Sequence, residues 1–123
     1  MSRILIVEDD SDLVTLLRRW LERDGHLVEH AADGAAALDA LKWAPLPHLV
    51  LLDVMLPKMD GFEVLQKLRA EPRTHSLPVV MVTSFSRDRD AARGRELGAN
   101  DYIVKPLMEV DFLKRIEHLI KDQ

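Results

Sequence analysis

The chain has 123 residues, 47% of them apolar and 31% charged, the make-up of a water-soluble globular chain long enough for a real core. It has no cysteine, which excludes disulfides and thiolate metal sites, and no apolar run approaches the length needed to cross a membrane. The net charge of -4 argues against nucleic-acid binding, and Met-Ser-Arg running into a short apolar stretch and then acid is not a secretory signal, so a cytoplasmic single domain over 1–123 is expected.

Arg3-Ile4-Leu5-Ile6-Val7 reads as a first strand and ends in Glu8-Asp9-Asp10. Ser11-Asp12 opens a helix with Leu13, Leu16, Leu17, Trp20 and Leu21 at helical spacing. Asp10 or Ser11 can cap its start, Gly25 ends it, and Trp20 is placed in the core. Leu27-Val28-Glu29-His30-Ala31 alternates like a half-exposed edge strand. Asp33-Gly34 turns into an alanine-rich helix from about Ala35 to Lys42, stopped by Trp43-Ala44-Pro45-Leu46-Pro47. Trp43 reads as a half-exposed loop aromatic.

His48-Leu49-Val50-Leu51-Leu52 is apolar after its first residue and ends abruptly at Asp53, as a strand buried on both faces would. Pro57 and Asp60-Gly61 mark the turn into a third helix bearing Phe62, Val64, Leu65 and Leu68, which ends near Glu71-Pro72. Val79-Val80-Met81-Val82 is a fourth buried strand ending in Thr83-Ser84. A charged helix from about Arg87 to Leu97 follows, with a thin apolar face of Ala91, Ala92 and Leu97 and Gly94 inside it, a pattern expected to be marginal and mobile. Asp101-Tyr102-Ile103-Val104 is a fifth strand ending in Lys105-Pro106. A last helix, about Glu109 to Lys121, is expected to bury Leu113, Ile116 and Ile120. Phe112 and Leu119 lie roughly 70–90° off that seam, either widening the core stripe or facing a partner.

Five strands alternating with five helices predict an α/β fold with a parallel sheet and helices on both faces. In a parallel sheet the strand ends share one edge, where open α/β folds place their sites. Glu8, Asp9, Asp53, Thr83, Ser84 and Lys105 therefore converge. Three close carboxylates repel one another, and one lysine cannot balance them. Mg²⁺ can, since it favours carboxylate, carbonyl and water oxygens and shares sites with phosphoryl groups. Asp53 then stays ionised and can act as a nucleophile toward phosphorus, with Lys105 facing the transferring group and the Thr83 hydroxyl donating to it.

The stretches Ile-Val-Glu-Asp-Asp, Leu-Leu-Asp-Val-Met-Leu-Pro-Lys-Met-Asp-Gly, Val-Thr-Ser and Gly-Ala-Asn-Asp-Tyr-Ile-Val-Lys-Pro together resemble the response-regulator receiver domains of bacterial two-component signalling, over essentially the whole chain. The resemblance implies a flavodoxin-like (βα)5 sheet of order 2-1-3-4-5, an order given for a chemotaxis receiver. It implies that Asp53 is the phosphoacceptor and that Asp9, Asp53 and the backbone carbonyl of Met55 hold Mg²⁺, with Glu8 acting through water. It assigns Lys105, Thr83 and Ser84 to the phosphoryl group, Thr83 and Tyr102 to the switch, and a cis peptide to Lys105-Pro106. The donor it implies is a histidine kinase or a histidine phosphotransfer protein. A homodimer through helix 4, strand 5 and helix 5 is a further possibility, with Asp101 and Arg115 pairing across it. The domain is then a switch rather than an enzyme, with no direct nucleic-acid or membrane contact and no room for a DNA-binding domain before the chain ends. Leu107 stands where the family usually has Phe, which alters packing under the last helix. Met55 and Phe85 stand where polar side chains orient an attacking water in this family, so slow loss of the phosphoryl group is expected.

Three other readings remain. A receiver-like interaction module that takes no phosphate fits the fold but not the intact acids and lysine. A flavin domain needs a Ser/Thr/Gly-rich loop where Glu8-Asp9-Asp10 stands. An aspartate-nucleophile phosphohydrolase usually has a second acid at the position of Met55.

Overall fold

The computed structural model describes residues 2–43 and 45–121. Its elements are β1 (Arg3–Val7), α1 (Ser11–Arg23), β2 (Leu27–Ala31), α2 (Gly34–Ala40), β3 (Leu49–Leu52), α3 (Gly61–Ala70), β4 (Val79–Thr83), α4 (Asp88–Glu96), β5 (Asp101–Val104) and α5 (Glu109–Lys121). All strand pairs are parallel, and the order is β2-β1-β3-β4-β5. This is the flavodoxin-like order expected from the resemblance.

The sheet's two faces carry separate cores. Leu5, Val7, Val50, Leu52, Val79 and Met81 point toward α2, α3 and α4, while Ile4, Ile6, Leu49, Leu51, Val80 and Val82 point toward α1 and α5. Residues i and i+2 of a strand share a face, so unbroken apolar runs feed both layers. β2 keeps only Ala31 buried, as an edge strand does.

Helix boundaries follow cap chemistry. The Asp10 carboxylate accepts from the N–H groups of Asp12 and Leu13 at the start of α1, so Asp10 rather than Ser11 is the cap. Asp33 and Asp60 do the same for α2 and α3. Gly25 and Gly98, at φ +89° and +104°, reverse the chain after α1 and α4. Helix α2 is shorter than the expected Ala35–Lys42: it starts at Gly34, and after Ala40 the Lys42 N–H turns back to the Asp39 carbonyl. The stop through residues 43–47 includes Ala44, which lies outside the described residues. In α4 only Gly94 is buried, and Arg87 and Leu97 are its caps rather than its first and last turns.

Two expected stripes are rotated. In α1 the buried residues are Val14, Leu17 and Leu21; Leu16 is exposed and Leu13 and Trp20 are only partly covered. In α5 the seam is Phe112 and Ile116, with Leu113, Leu119 and Ile120 partly covered. Phe112 thus belongs to the core and not to a partner surface. Its ring meets that of Trp20 at 5.8 Å between centroids, and this contact turns the two helices toward each other. Trp43 is 68% exposed, more than the half-exposed position expected. Leu107 packs partly buried on the α1–α5 core. No helix among the described residues is long and apolar enough to cross a membrane.

Candidate functional site

The site is pinned by hydrogen bonds that carry the sheet ladders one residue beyond the strands. The Glu8 N–H donates to the Ala31 carbonyl at 3.1 Å, the Asp53 N–H to Val7 at 3.1 Å, and the Lys105 N–H to Thr83 at 2.9 Å. Each polar residue therefore leaves the sheet in a fixed direction. The His30 ring nitrogen Nε2 lies 2.7 Å from the Glu8 carbonyl oxygen, so it donates its proton there. Behind Asp53 the chain is held by close backbone contact. The Gly61 N–H donates to the Val54 carbonyl at 2.9 Å, and a Cβ on Gly61 would fall 2.1 Å from the Asp53 carbonyl oxygen. Only a residue without a side chain fits.

Glu8 and Asp53 are 3% and 5% exposed, whereas Asp9 stands in solvent. One carboxylate oxygen from each of the three lies within 4.8 Å of the others. The Lys105 ammonium bridges two of them, 2.9 Å from Glu8 Oε1 and 3.2 Å from Asp53 Oδ2. The second oxygen of Glu8 accepts from the Asp10 N–H at 3.1 Å. Asp53 Oδ1 accepts from the Met55 N–H at 3.2 Å. Burial pushes the Glu8 carboxyl above the usual range, against the lowering by Lys105 and the Asp10 N–H, and the Asp53 charge pushes the same way. Burial also works against the Lys105 ammonium, but the hydrogen bond to Glu8 and the Asp53 charge outweigh it, and its pKa is raised.

Three carboxylates thus face a single ammonium, with the Asp9 side open. This donor set fits a hard divalent cation that keeps several waters. Without a cation in place, Glu8 meets Lys105 directly.

Thr83 is fully buried, and its hydroxyl oxygen accepts from the Phe85 N–H at 3.2 Å, leaving the hydroxyl proton free to donate. Ser84 is exposed beside it. The Tyr102 ring already lies inward: its hydroxyl donates to the Phe85 carbonyl at 2.7 Å, and a Cβ on Gly94 would come within 3.0 Å of the ring. Burial, with the charges of Asp90 and Asp53, pushes the phenol from 10.0 up to about 12. The folded state therefore keeps a proton that the unfolded chain releases, and stability falls as pH rises from about 10 to about 12. Tyr102 is the chain's single tyrosine, so ultraviolet titration is expected to show half-ionisation near 12 in the folded protein and near 10 in denaturant.

Asp101 and Arg115, which could pair across a homodimer face, lie 3.6 Å apart within the single chain. Lys105-Pro106 is cis. The roles of His30 and of the Asp10 and Met55 N–H groups carry no one-dimensional mark. The first depends on the β1–β2 register, which sets His30 beside Ile6.

The response regulator receiver domain family matches residues 4–117. The chain belongs to the response regulator receiver family. The receiver is 40% identical over 121 residues to the DNA-binding dual master transcriptional regulator RpaA of Synechocystis, covering 98% of this chain and 50% of that one. It spans about half the length of the first curated relatives it matches. Among solved structures it is similar to the receiver domain of a signal transduction histidine kinase from Syntrophus aciditrophicus, at 34% identity and TM-score 0.91, covering 99% of this chain and 92% of that one. It is also similar to the Mn²⁺-bound form of response regulator Rcp1, at 31% identity and TM-score 0.84, over 97% and 91% of the two chains. The receiver is thus a signalling domain of the two-component type rather than a classical enzyme.

Proposed function

We propose that the receiver is a phosphoacceptor switch in which Asp53 takes a phosphoryl group from a histidine kinase or histidine phosphotransfer protein in a Mg²⁺-dependent reaction. The observation that carries this reading is the convergence of Glu8, Asp9 and Asp53 around one ammonium, Lys105. The similarity to Mn²⁺-bound Rcp1 supports a divalent cation at these acids.

Asp9, Asp53 and the backbone carbonyl of Met55 would hold the cation, with Glu8 beside them. The bound cation supplies charge neutralisation among the acids and on the phosphoryl oxygens. The chain's own groups do the rest. An Asp53 oxygen bonds to phosphorus as the donor's P–N bond breaks, and the imidazole leaves with the bonding pair. Lys105 gives up its contact with Asp53 Oδ2 and meets the incoming phosphoryl oxygens. Thr83, whose proton is uncommitted, turns to donate to one of them, and Ser84, next in the chain and exposed, is assigned to the same group by the family resemblance.

The switch then rests on Tyr102, already inward against Gly94. Phosphorylation stabilises this inward arrangement through Thr83 and Phe85, and α4, β5 and α5 present it to a partner or a second copy. Val104, Met108 and Val110 are exposed on β5 and at the start of α5, apolar groups available for such contacts. A cytoplasmic domain without direct nucleic-acid contact is in keeping with this role.

The test is mass spectrometry after incubation with acetyl phosphate and Mg²⁺. One phosphoryl adduct on Asp53, abolished by chelation, is expected. No adduct under either condition overturns the reading and leaves a phosphate-independent interaction module.

The lifetime of that adduct is a separate prediction. Met55 is exposed at the mouth and Phe85 lines the same opening, and neither side chain can orient water. The double variant Met55→Asn, Phe85→Glu is expected to shorten the lifetime about tenfold or more, followed by loss of the adduct with time. An unchanged lifetime would show that water access is set elsewhere.

A further inference from the structure

Away from the acidic edge, between the C-terminal ends of α2 and α3, lies a cleft of about 600 Å³. Its apolar floor is the half-buried Leu38 above the core residues Leu41 and Leu68, and Thr74 closes one side with its hydroxyl donating to the Leu68 carbonyl at 2.6 Å. Its rim carries Lys42, Lys67 and Arg73 against one acid, Glu71. Arg73 donates to the Leu41 carbonyl, which ties its guanidinium to the rim. Among the described residues Lys42 and Lys67 have no carboxylate partner, although the chain as a whole carries -4. Trp43 follows Lys42 directly and is 68% exposed.

Each feature alone is ordinary. A solvated lysine needs no partner, and single exposed aromatics are common. Together they form an apolar-floored cleft between two helices with an unneutralised cationic rim, and an exposed indole follows that rim in the chain. That is the shape and charge that an amphipathic helix with acidic flanks complements, its apolar side in the trough and its acids on the lysines. Tryptophan and arginine are the side chains most often found to anchor such contacts.

We infer that the α2–α3 cleft is a docking surface for an acidic amphipathic helix of a partner protein. The surface lies on different elements from the α4–β5–α5 face and does not involve the acidic edge. It therefore stands whether or not Asp53 is phosphorylated.

The test uses a synthetic helical peptide with leucines at i, i+3, i+4 and i+7 and glutamates elsewhere, and the same peptide with lysines as control. Binding is followed by NMR on the whole chain, whose two tryptophans give separate indole signals. The Trp43 indole and the Leu38, Leu41 and Leu68 methyl signals are expected to shift saturably with the acidic peptide, while the Trp20 indole stays still. The exposed-site variant Lys42→Gln, Lys67→Gln should weaken binding at least about tenfold with the thermal midpoint nearly unchanged. The inference is overturned by three results: cleft signals that do not move, equal binding of the lysine peptide, or an unaffected double variant. The same shifts on raising protein concentration alone would assign the cleft to a second copy instead. The same shifts with octanoate, at equal affinity, would assign it to a small carboxylate.

Discussion

Asp53→Asn is expected to take up no phosphoryl group from acetyl phosphate and Mg²⁺ under conditions that label the wild type, as read by intact-mass spectrometry. An amide is too weak a nucleophile to replace the carboxylate. The change is nearly isosteric, and the residue's N–H still reaches the Val7 carbonyl, so the fold is kept. Two further readouts separate a lost acceptor from a damaged fold. The Asp53 charge sits beside buried Glu8 and pushes its pKa up, so removing it relieves repulsion. Without metal the variant should be as stable as the wild type or more so in urea. With metal, the wild type should gain the stabilisation that ligand binding confers on the folded state, and the variant should lose most of it. A phosphorylated Asp53→Asn chain would move the acceptor elsewhere.

Phe112→Ala carries the largest expected loss of stability. The ring is fully buried, packs on Trp20, and belongs to the cluster that joins β1, β3 and α1 to α5. Removing it leaves a cavity lined by residues fixed in the sheet, which cannot collapse to fill it. The cost is about 3–5 kcal/mol, a large part of the roughly 5–15 kcal/mol that holds a domain folded. Urea unfolding should show the midpoint fall with the slope unchanged. Val110→Ala, two residues earlier on the exposed side of the same helix, should change stability by less than about 0.5 kcal/mol. Equal effects for both would mean that α5 is rotated from the orientation described.

That pair of variants marks where the sequence was readable and where it was not. The interior strands β1, β3 and β4 were legible because burial on both faces leaves uninterrupted apolar runs, edge strand β2 by its alternation, and β1, β2, β5 and α5 begin and end where the pattern changes. The convergence of Glu8, Asp9, Asp53 and Lys105 follows from parallel strands alone, since every strand end must then share one edge. Helix rotation was less legible. Val14 and Leu13 are adjacent and both apolar, and so are Phe112 and Leu113. Which member of each pair turns inward is decided by the Trp20–Phe112 contact between helices distant in sequence. Partner choice was not legible either. Asp101 and Arg115 have charges that could pair between copies, and only their positions on β5 and α5 show that they also come within 3.6 Å of each other in one chain. Glu8 likewise offers no hint in sequence that its first partner is Lys105, because that contact depends on how far the ammonium reaches across two intervening strands.

Lys105 and Glu8 stand 97 positions apart, and the lysine leaves from β5, an outermost strand, while the acids leave from interior β1 and β3. Edges of a sheet open at lower free energy than its middle. A transient peeling of that margin would withdraw the ammonium and leave the acids in place, without the rest of the fold coming apart. Anything that clamps the outer strand, a docked neighbour included, would raise the fraction of molecules in which Lys105 faces Glu8 and Asp53.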